Sequence, residues 1–261
     1  LNPLLQNYWM VIHPPTLFLG FAVCIVPFSF AISSLRLREY KAWIKYAKKW
    51  LIVSIIILGV GIMMGAYWAY ETLNFGGYWN WDPVENAVYV PWLFLVAALH
   101  SIILTQKNNQ NYKMSLILCV TSFILILYST FLTRSGILGD SSVHSFTDLG
   151  LSGQLLVYLF SFVIISVYLL VSRWKDIPYS DKEAKVYTGD FWLFIGVYTL
   201  ILMSFQVILP TSIPVYNAII EVFGGFSNLA PPVEKELFYS NAQIWFASCL
   251  ALLSSIAQVL W

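Results

Sequence analysis

Residues 76–106 read GGYWNWDPVENAVYVPWLFLVAALHSIILTQ. From Tyr89 to Gln106 the stretch holds no Asp, Glu, Lys or Arg and a single histidine, His100, over a length that crosses hydrocarbon as a helix. The part before it gathers Tyr78, Trp79 and Trp81 with two carboxylates, Asp82 and Glu85. Such rings suit a membrane-interface belt, and they equally suit a platform for something flat and apolar. Asp82-Pro83 reads as a helix start, with Asp82 as N-cap, Pro83 at the first helical position and Glu85 at the third.

The same pattern recurs along the chain. Of 261 residues, 59% are hydrophobic and 10% charged, against about 25% charged in a soluble domain. That much apolar surface requires the bilayer as solvent. Apolar stretches near 15–35, 50–70, 89–106, 115–132, 153–172, 191–209 and 241–261 predict an all-α, polytopic membrane protein of about seven helices, because hydrocarbon satisfies no exposed backbone groups. The 1–261 chain reads as one transmembrane domain. It begins at Leu1 and stops at Trp261 inside an apolar run, which predicts a segment of a longer protein.

Strict alternation puts the 36–49, 107–114 and 173–190 loops on one side, with six, two and four basic residues, twelve of the fourteen Lys and Arg. The positive-inside rule makes that side cytoplasmic. The outer side receives residues 1–14, 71–88, 133–152 and 210–240. In the last of these, prolines 210, 214, 231 and 232 bracket an apolar piece too short to span, expected to be interfacial or re-entrant and partly ordered. A net charge of +1 argues against a nucleic-acid partner. Cys24, Cys119 and Cys249 stand singly in apolar runs, without metal-ligand spacing.

The three histidines fall into two kinds. His13, in VIHPP, is expected just outside the first span, with Pro14 and Pro15 stiffening the chain as it enters the helix. His144 lies in the outer loop RSGILGDSSVHSFTDLG. Two neutral imidazoles flanking a tryptophan-rich shelf suit the axial positions of a haem iron, and each alone equally suits a solvated polar group. His100 is expected about 18 Å below the outer end of its helix, inside the hydrocarbon. Either it bonds across helices as packing glue, or it ligates a buried haem. Gly76 and Gly77 would allow close approach of backbone to a ligand. Trp79 and Trp81 would offer ring faces to a porphyrin, whereas Glu85 and Asn86 would reach propionates or a partner only after protonation or through water and are not assigned that contact.

GGYWNWDPVEN resembles the tryptophan-rich WWD signature of the haem-handling proteins of cytochrome c biogenesis. LNPLLQNYWMVIHPPTLFLG and FLTRSGILGDSSVHSFTDLG resemble the flanking blocks of the CcmF cytochrome c haem lyases. The usual tryptophan ahead of the paired glycines is Phe75 here. The resemblance implies that His13 and His144 ligate, through the haem iron, the haem to be attached. It implies that the loop with Gly76, Gly77, Trp79, Trp81 and Asp82 is the haem shelf, and that His100 is the first of two membrane histidines holding a resident haem b. The second is absent from this chain. The implied reaction is thioether attachment of haem to the CxxCH motif of apocytochrome c. The implied partners are the haem-delivery chaperone CcmE, a CcmH-type apocytochrome-binding protein and membrane lipid. The implied location is the bacterial inner membrane with the haem site facing the periplasm, or alternatively the mitochondrial inner membrane. No side chain stands out as a general acid, and catalytic residues stay unassigned. A haem exporter or a haem b electron-transfer subunit is the competing function; the first needs a polar path through the spans, the second paired deep histidines.

Overall fold

The computed structural model describes residues 6–72, 77–142, 150–179 and 187–260. Gly76 and His144, two of the expected site residues, lie outside the described residues, as does Phe75. Helices run as α1 (Tyr8–Val23), α2 (Ile25–Leu37), α3 (Ala42–Glu71), α4 (Pro83–Asn108), α5 (Tyr112–Arg134), α6 (Ser152–Arg173), α7 (Gly189–Thr211), α8 (Ile213–Val222) and α9 (Lys235–Leu260), with a 3₁₀ turn at Gly139–Ser141. Among the described residues, seven segments are long and apolar enough to cross a membrane, with α1 and α2 acting as one. The described residues are all-α, without a strand.

Local chemistry sets the helix ends. The Asn7 side chain caps α1 by accepting from the Trp9 N–H at 2.8 Å. The α1–α2 joint falls at Cys24, where Pro27 has no N–H to give the Val23 carbonyl. Arg38 and Asn109 close α2 and α4 in the left-handed conformation, at φ 59° and 54°. The segment 210–240 contains α8, a ten-residue helix without buried residues, followed by exposed Phe223, Phe226 and Val233.

Side-chain bonds sort the connections onto two faces. On one, Arg38 meets Asp176 at 3.5 Å, Lys107 meets Asp190 at 3.0 Å, and Lys48 donates to Gln106 at 3.0 Å. On the other, Asn7 donates to Glu71 at 2.9 Å, Trp81 to Ser240 at 2.9 Å and Lys235 to the Ser141 carbonyl at 2.7 Å. These are the loop sets that alternation assigns to the cytoplasmic and outer sides.

α4 and α5 are the most enclosed of the spans. Lipid tails are as apolar as leucine, so close packing and polar contacts hold such helices together. The Ser115 hydroxyl lies 2.8 Å from both the Ser101 and the Thr105 hydroxyls, joining α4 to α5. α3 packs through glycines: a Cβ on Gly61 would meet the Leu17 backbone at 2.9 Å, and one on Gly59 the Trp92 indole nitrogen at 2.9 Å. Gly20, on α1, would likewise strike the Leu58 backbone at 2.8 Å. These contacts draw α1 and α4 tightly onto α3, and the outer-face site lies where the three meet.

Candidate functional site

The start of α4 organises the outer loop. Asp82 and Glu85 form a capping box. Asp82 Oδ1 accepts from the Val84 N–H at 2.9 Å, while Glu85 Oε2 accepts from the Asn80 and Asp82 N–H groups at 2.9 and 3.1 Å. Glu85 therefore takes the capping role. Asp82 does a second job: its Oδ1 accepts from the Ser142 hydroxyl at 2.6 Å. Ser142 stands two residues before His144 in sequence, so the WWD loop is tied to the outer segment that leads toward it. Asn86 is committed too, donating to the Trp81 carbonyl at 3.2 Å and the Thr211 hydroxyl at 3.1 Å.

The loop backbone takes unusual conformations to aim its rings. Gly77 sits at φ 153° and Trp81 at φ 53°. For a non-glycine residue the left-handed region costs about 1–2 kcal/mol. Trp81 is held there by its Nε1–H bond to Ser240 and by stacking on Tyr239, with centroids 5.3 Å apart. Trp79, Trp81 and Tyr89 form a triangle of edge-to-face contacts, each 5.9 Å between centroids, and Tyr89 stacks on Trp92 at 6.4 Å.

The polar handles of three of these rings turn into the protein. In an interfacial belt the N–H or O–H reaches the headgroups. Here the Trp92 Nε1–H donates to the Ile55 carbonyl at 3.1 Å, Trp81 to Ser240, and the Tyr89 hydroxyl to Gln243 at 3.3 Å. Protein groups satisfy all three. The ring surfaces line a cavity of about 430 Å³, with Tyr78, Trp79, Trp81, Tyr89 and Trp92 facing Met63 and Ala66 of α3. Its size and lining are those of a site for a sizeable apolar ligand.

His13 adjoins that cavity. It lies within α1, not outside the span: the Asn7 cap starts the helix at Tyr8, and Pro14 and Pro15 fall inside it. The ring nests on α3 at Gly65, where a Cβ would come within 2.6 Å of Cε1. Its Nδ1 is 2.8 Å from the Gly61 carbonyl oxygen. A carbonyl only accepts, so neutral His13 carries its proton on Nδ1 and its lone pair on Nε2, the arrangement of an oriented metal-ligating histidine. The ring borders a cavity of about 90 Å³ that shares Trp79, Ile62 and Ala66 with the aromatic one. Trp79 is thus the partition between imidazole and shelf.

His100 is separate. Because α4 begins at Pro83, His100 stands seventeen residues from the outer helix end, about 26 Å, and eight from Asn108, about 12 Å. It occupies the cytoplasmic half of the span, deeper than the expected 18 Å. Its Nδ1 lies 2.7 Å from the Val96 carbonyl oxygen of its own helix, not from a neighbouring helix. The ring borders a cavity of about 180 Å³ between α4, α7 and α9, with Trp192, Gly196 and Leu253 in its wall. A Cβ on Gly196 would meet nothing within 4 Å.

Several site residues were not singled out from sequence. Gly61 and Gly65 seat His13, and their G-x-x-x-G spacing on an apolar helix is a visible signal of close approach. Tyr239, Ser240 and Ser142 support the loop from segments distant in sequence, which no local pattern announces.

A bundle of spanning helices with an aromatic-lined cavity at one end and an oriented imidazole beside it defines the class: an all-α, multi-pass membrane protein. Residues 1–138 match the family described as Cytochrome C assembly protein. The chain is 33% identical over 240 residues to the cytochrome c-type biogenesis protein CcmF of Pseudomonas fluorescens, covering 91% of this chain and 36% of that protein. To CcmF of Escherichia coli it is 31% identical over 260 residues, covering 99% and 39%. The solved structure of a cytochrome c haem lyase CcmF matches with a TM-score of 0.72 at 26% identity, covering 98% of this chain and 37% of that one. The chain belongs to the CcmF/WWD family of cytochrome c assembly, a family of haem-handling proteins, and its multi-pass topology is that of an inner-membrane protein. It spans under two-fifths of the length of these relatives.

Proposed function

We propose that this chain holds haem, as substrate, at the periplasmic face of the inner membrane and positions it for thioether attachment to the CxxCH motif of apocytochrome c. The observation that carries this reading is the adjacency of His13, with its lone pair on Nε2, to a cavity walled by five aromatic rings. A porphyrin needs both an imidazole nitrogen for its iron and flat apolar faces for its ring. Gly76 and Gly77 would let the loop approach the ligand. His144, outside the described residues, is the proposed second axial ligand on the family resemblance alone.

Attachment adds a cysteine S–H across a haem vinyl group: sulfur bonds one vinyl carbon, the proton goes to the other, and no electrons leave the pair. The protein's part is orientation. An iron held between two imidazoles and a ring held against Trp79 and Trp81 would fix the vinyl edges toward arriving thiols, and such ordering contributes several kcal/mol, on the order of 7–11 at its best. Asp82 contributes by holding the shelf and the outer segment together rather than by touching the ligand. The proposed partners are a CcmE-type haem-delivery chaperone and a CcmH-type carrier of apocytochrome.

His100 supports a second haem. The fixed Nδ1–H leaves Nε2 as the coordinating atom, and the small cavity between α4, α7 and α9 gives an axial ligand room to act. That group would supply one-electron chemistry when bound. Replacing His13 by Ala is expected to abolish cytochrome c maturation by the full-length protein at unchanged membrane levels. Normal holocytochrome yield in that variant would overturn the proposal.

A further inference from the structure

A further cavity opens on the opposite side of the molecule from the aromatic shelf. It measures about 740 Å³ and lies between α5 and α6 at their cytoplasmic ends. Ile117, Val167, Leu170 and Val171 form its apolar part, and Trp174, Lys175 and Asp176 form its rim. Val167 and Val171 are exposed, at 51% and 71%, so this wall faces the hydrocarbon of the cytoplasmic leaflet. The rim is cationic. Lys113, in the first turn of α5, holds its ammonium 4.6 Å from the Trp174 ring centroid and 5.2 Å from that of Tyr179. Asp176 is engaged by Arg38 at 3.5 Å, and Lys175 has no carboxylate partner among the described residues.

We infer that this groove binds an anionic phospholipid of the cytoplasmic leaflet, one acyl chain along α6 and the phosphate between Lys113 and Lys175. A soluble anion gains nothing from four aliphatic side chains, and an acyl chain alone gains nothing from two ammonium groups; one lipid uses both. A zwitterionic lipid carries its own cation, which competes with the lysines, so the groove discriminates by net headgroup charge. Trp174 suits the headgroup level at which amphipathic rings settle, and basic pockets between helices on the cytoplasmic side select anionic headgroups. The site is independent of the haem reading and shares no residue with it.

The test is native mass spectrometry of the detergent-purified full-length protein, titrated with phosphatidylglycerol or phosphatidylethanolamine of identical chains. The expected result is a preference for phosphatidylglycerol of about twenty-five-fold, the product of two lysines near the surface that each contribute about fivefold. Lys113→Gln with Lys175→Gln is expected to erase the preference, and Val167→Trp, which fills the groove, to reduce binding of both lipids. Should the double variant not fold, Lys175→Gln alone, at an exposed position, is expected to lower the preference about fivefold. Equal binding of the two lipids by the wild type, or a preference unchanged in the lysine variants, would overturn the assignment. Displacement of the lipid by millimolar glycerol phosphate would also overturn it, because it would mark a site for a soluble anion.

Discussion

Gly65→Ala is the sharpest probe of how α3 seats His13. The new methyl carbon would lie 2.6 Å from Cε1 and 3.0 Å from both ring nitrogens. Reaching an ordinary contact of about 3.5 Å requires the imidazole to retreat by about 0.9 Å. A retreat of that size takes Nδ1, now 2.8 Å from the Gly61 carbonyl, beyond hydrogen-bond range. The colliding atoms belong to a side chain and not to backbone, so the helices keep their packing while the ring swings. The bond lost contributes about 0.5–1.5 kcal/mol, small for the bundle. Misplacing a positioned group by about 1 Å costs on the order of a hundredfold in rate. The expected outcome is a large loss of holocytochrome c, read by haem staining, with the full-length protein still present in the membrane at normal levels. Gly153→Ala, where a Cβ meets nothing within 4 Å, is the silent control. Wild-type maturation by Gly65→Ala would show that the seat of His13 does not matter, and the positioning argument would fail.

Other outcomes follow from the same geometry. Asp82→Ala removes the α4 cap and the bond to Ser142 together; it should lower thermal stability by about 0.5–2 kcal/mol from the cap alone and weaken haem retention, whereas Ser142→Ala should weaken retention while keeping the cap. Trp92→Phe removes the bond to Ile55 but keeps a ring in the cavity wall, and should cost about 1 kcal/mol in a melting experiment with haem still bound. His100→Ala is expected to remove a b-type signal from the reduced spectrum while the outer-face haem still docks, because the two cavities share no wall residue; an unchanged reduced spectrum would rule out His100 as a ligand.

The spans and the α4 cap are legible in the sequence because each rests on a local rule. Apolar runs need a helix in lipid, and Asp82-Pro83 followed by Glu85 is a complete start signal. The beginning of α1 was misread because Pro14-Pro15 imitates a helix start. The Asn7 cap lies about two turns upstream, and a spanning helix tolerates internal prolines where neighbours compensate. The first turns of α3 were hidden by Lys41, Lys45, Lys48 and Lys49. Trp43, Ile44, Ala47 and Leu51 nonetheless form a buried helical face there, extending the helix beyond the apolar run. The depth of His100 shifts for a related reason: the expected depth of about 18 Å counts from the apolar run at Tyr89, whereas the helix begins at the Asp82 cap. What holds Trp81 in place was not legible at all, since Ser240 is 159 residues away and only the folded bundle brings it near.

The claim on which the functional reading stands is that His13 Nε2 coordinates the iron of the haem on the shelf. Resonance Raman or electron paramagnetic resonance of the ferric haem trapped in the full-length protein tests it directly, with His100→Ala as background to silence the second site. A six-coordinate low-spin centre that turns five-coordinate and high-spin in His13→Ala, and returns to low spin on addition of imidazole, is the predicted result. A centre that stays low-spin without His13 and without added imidazole would contradict it.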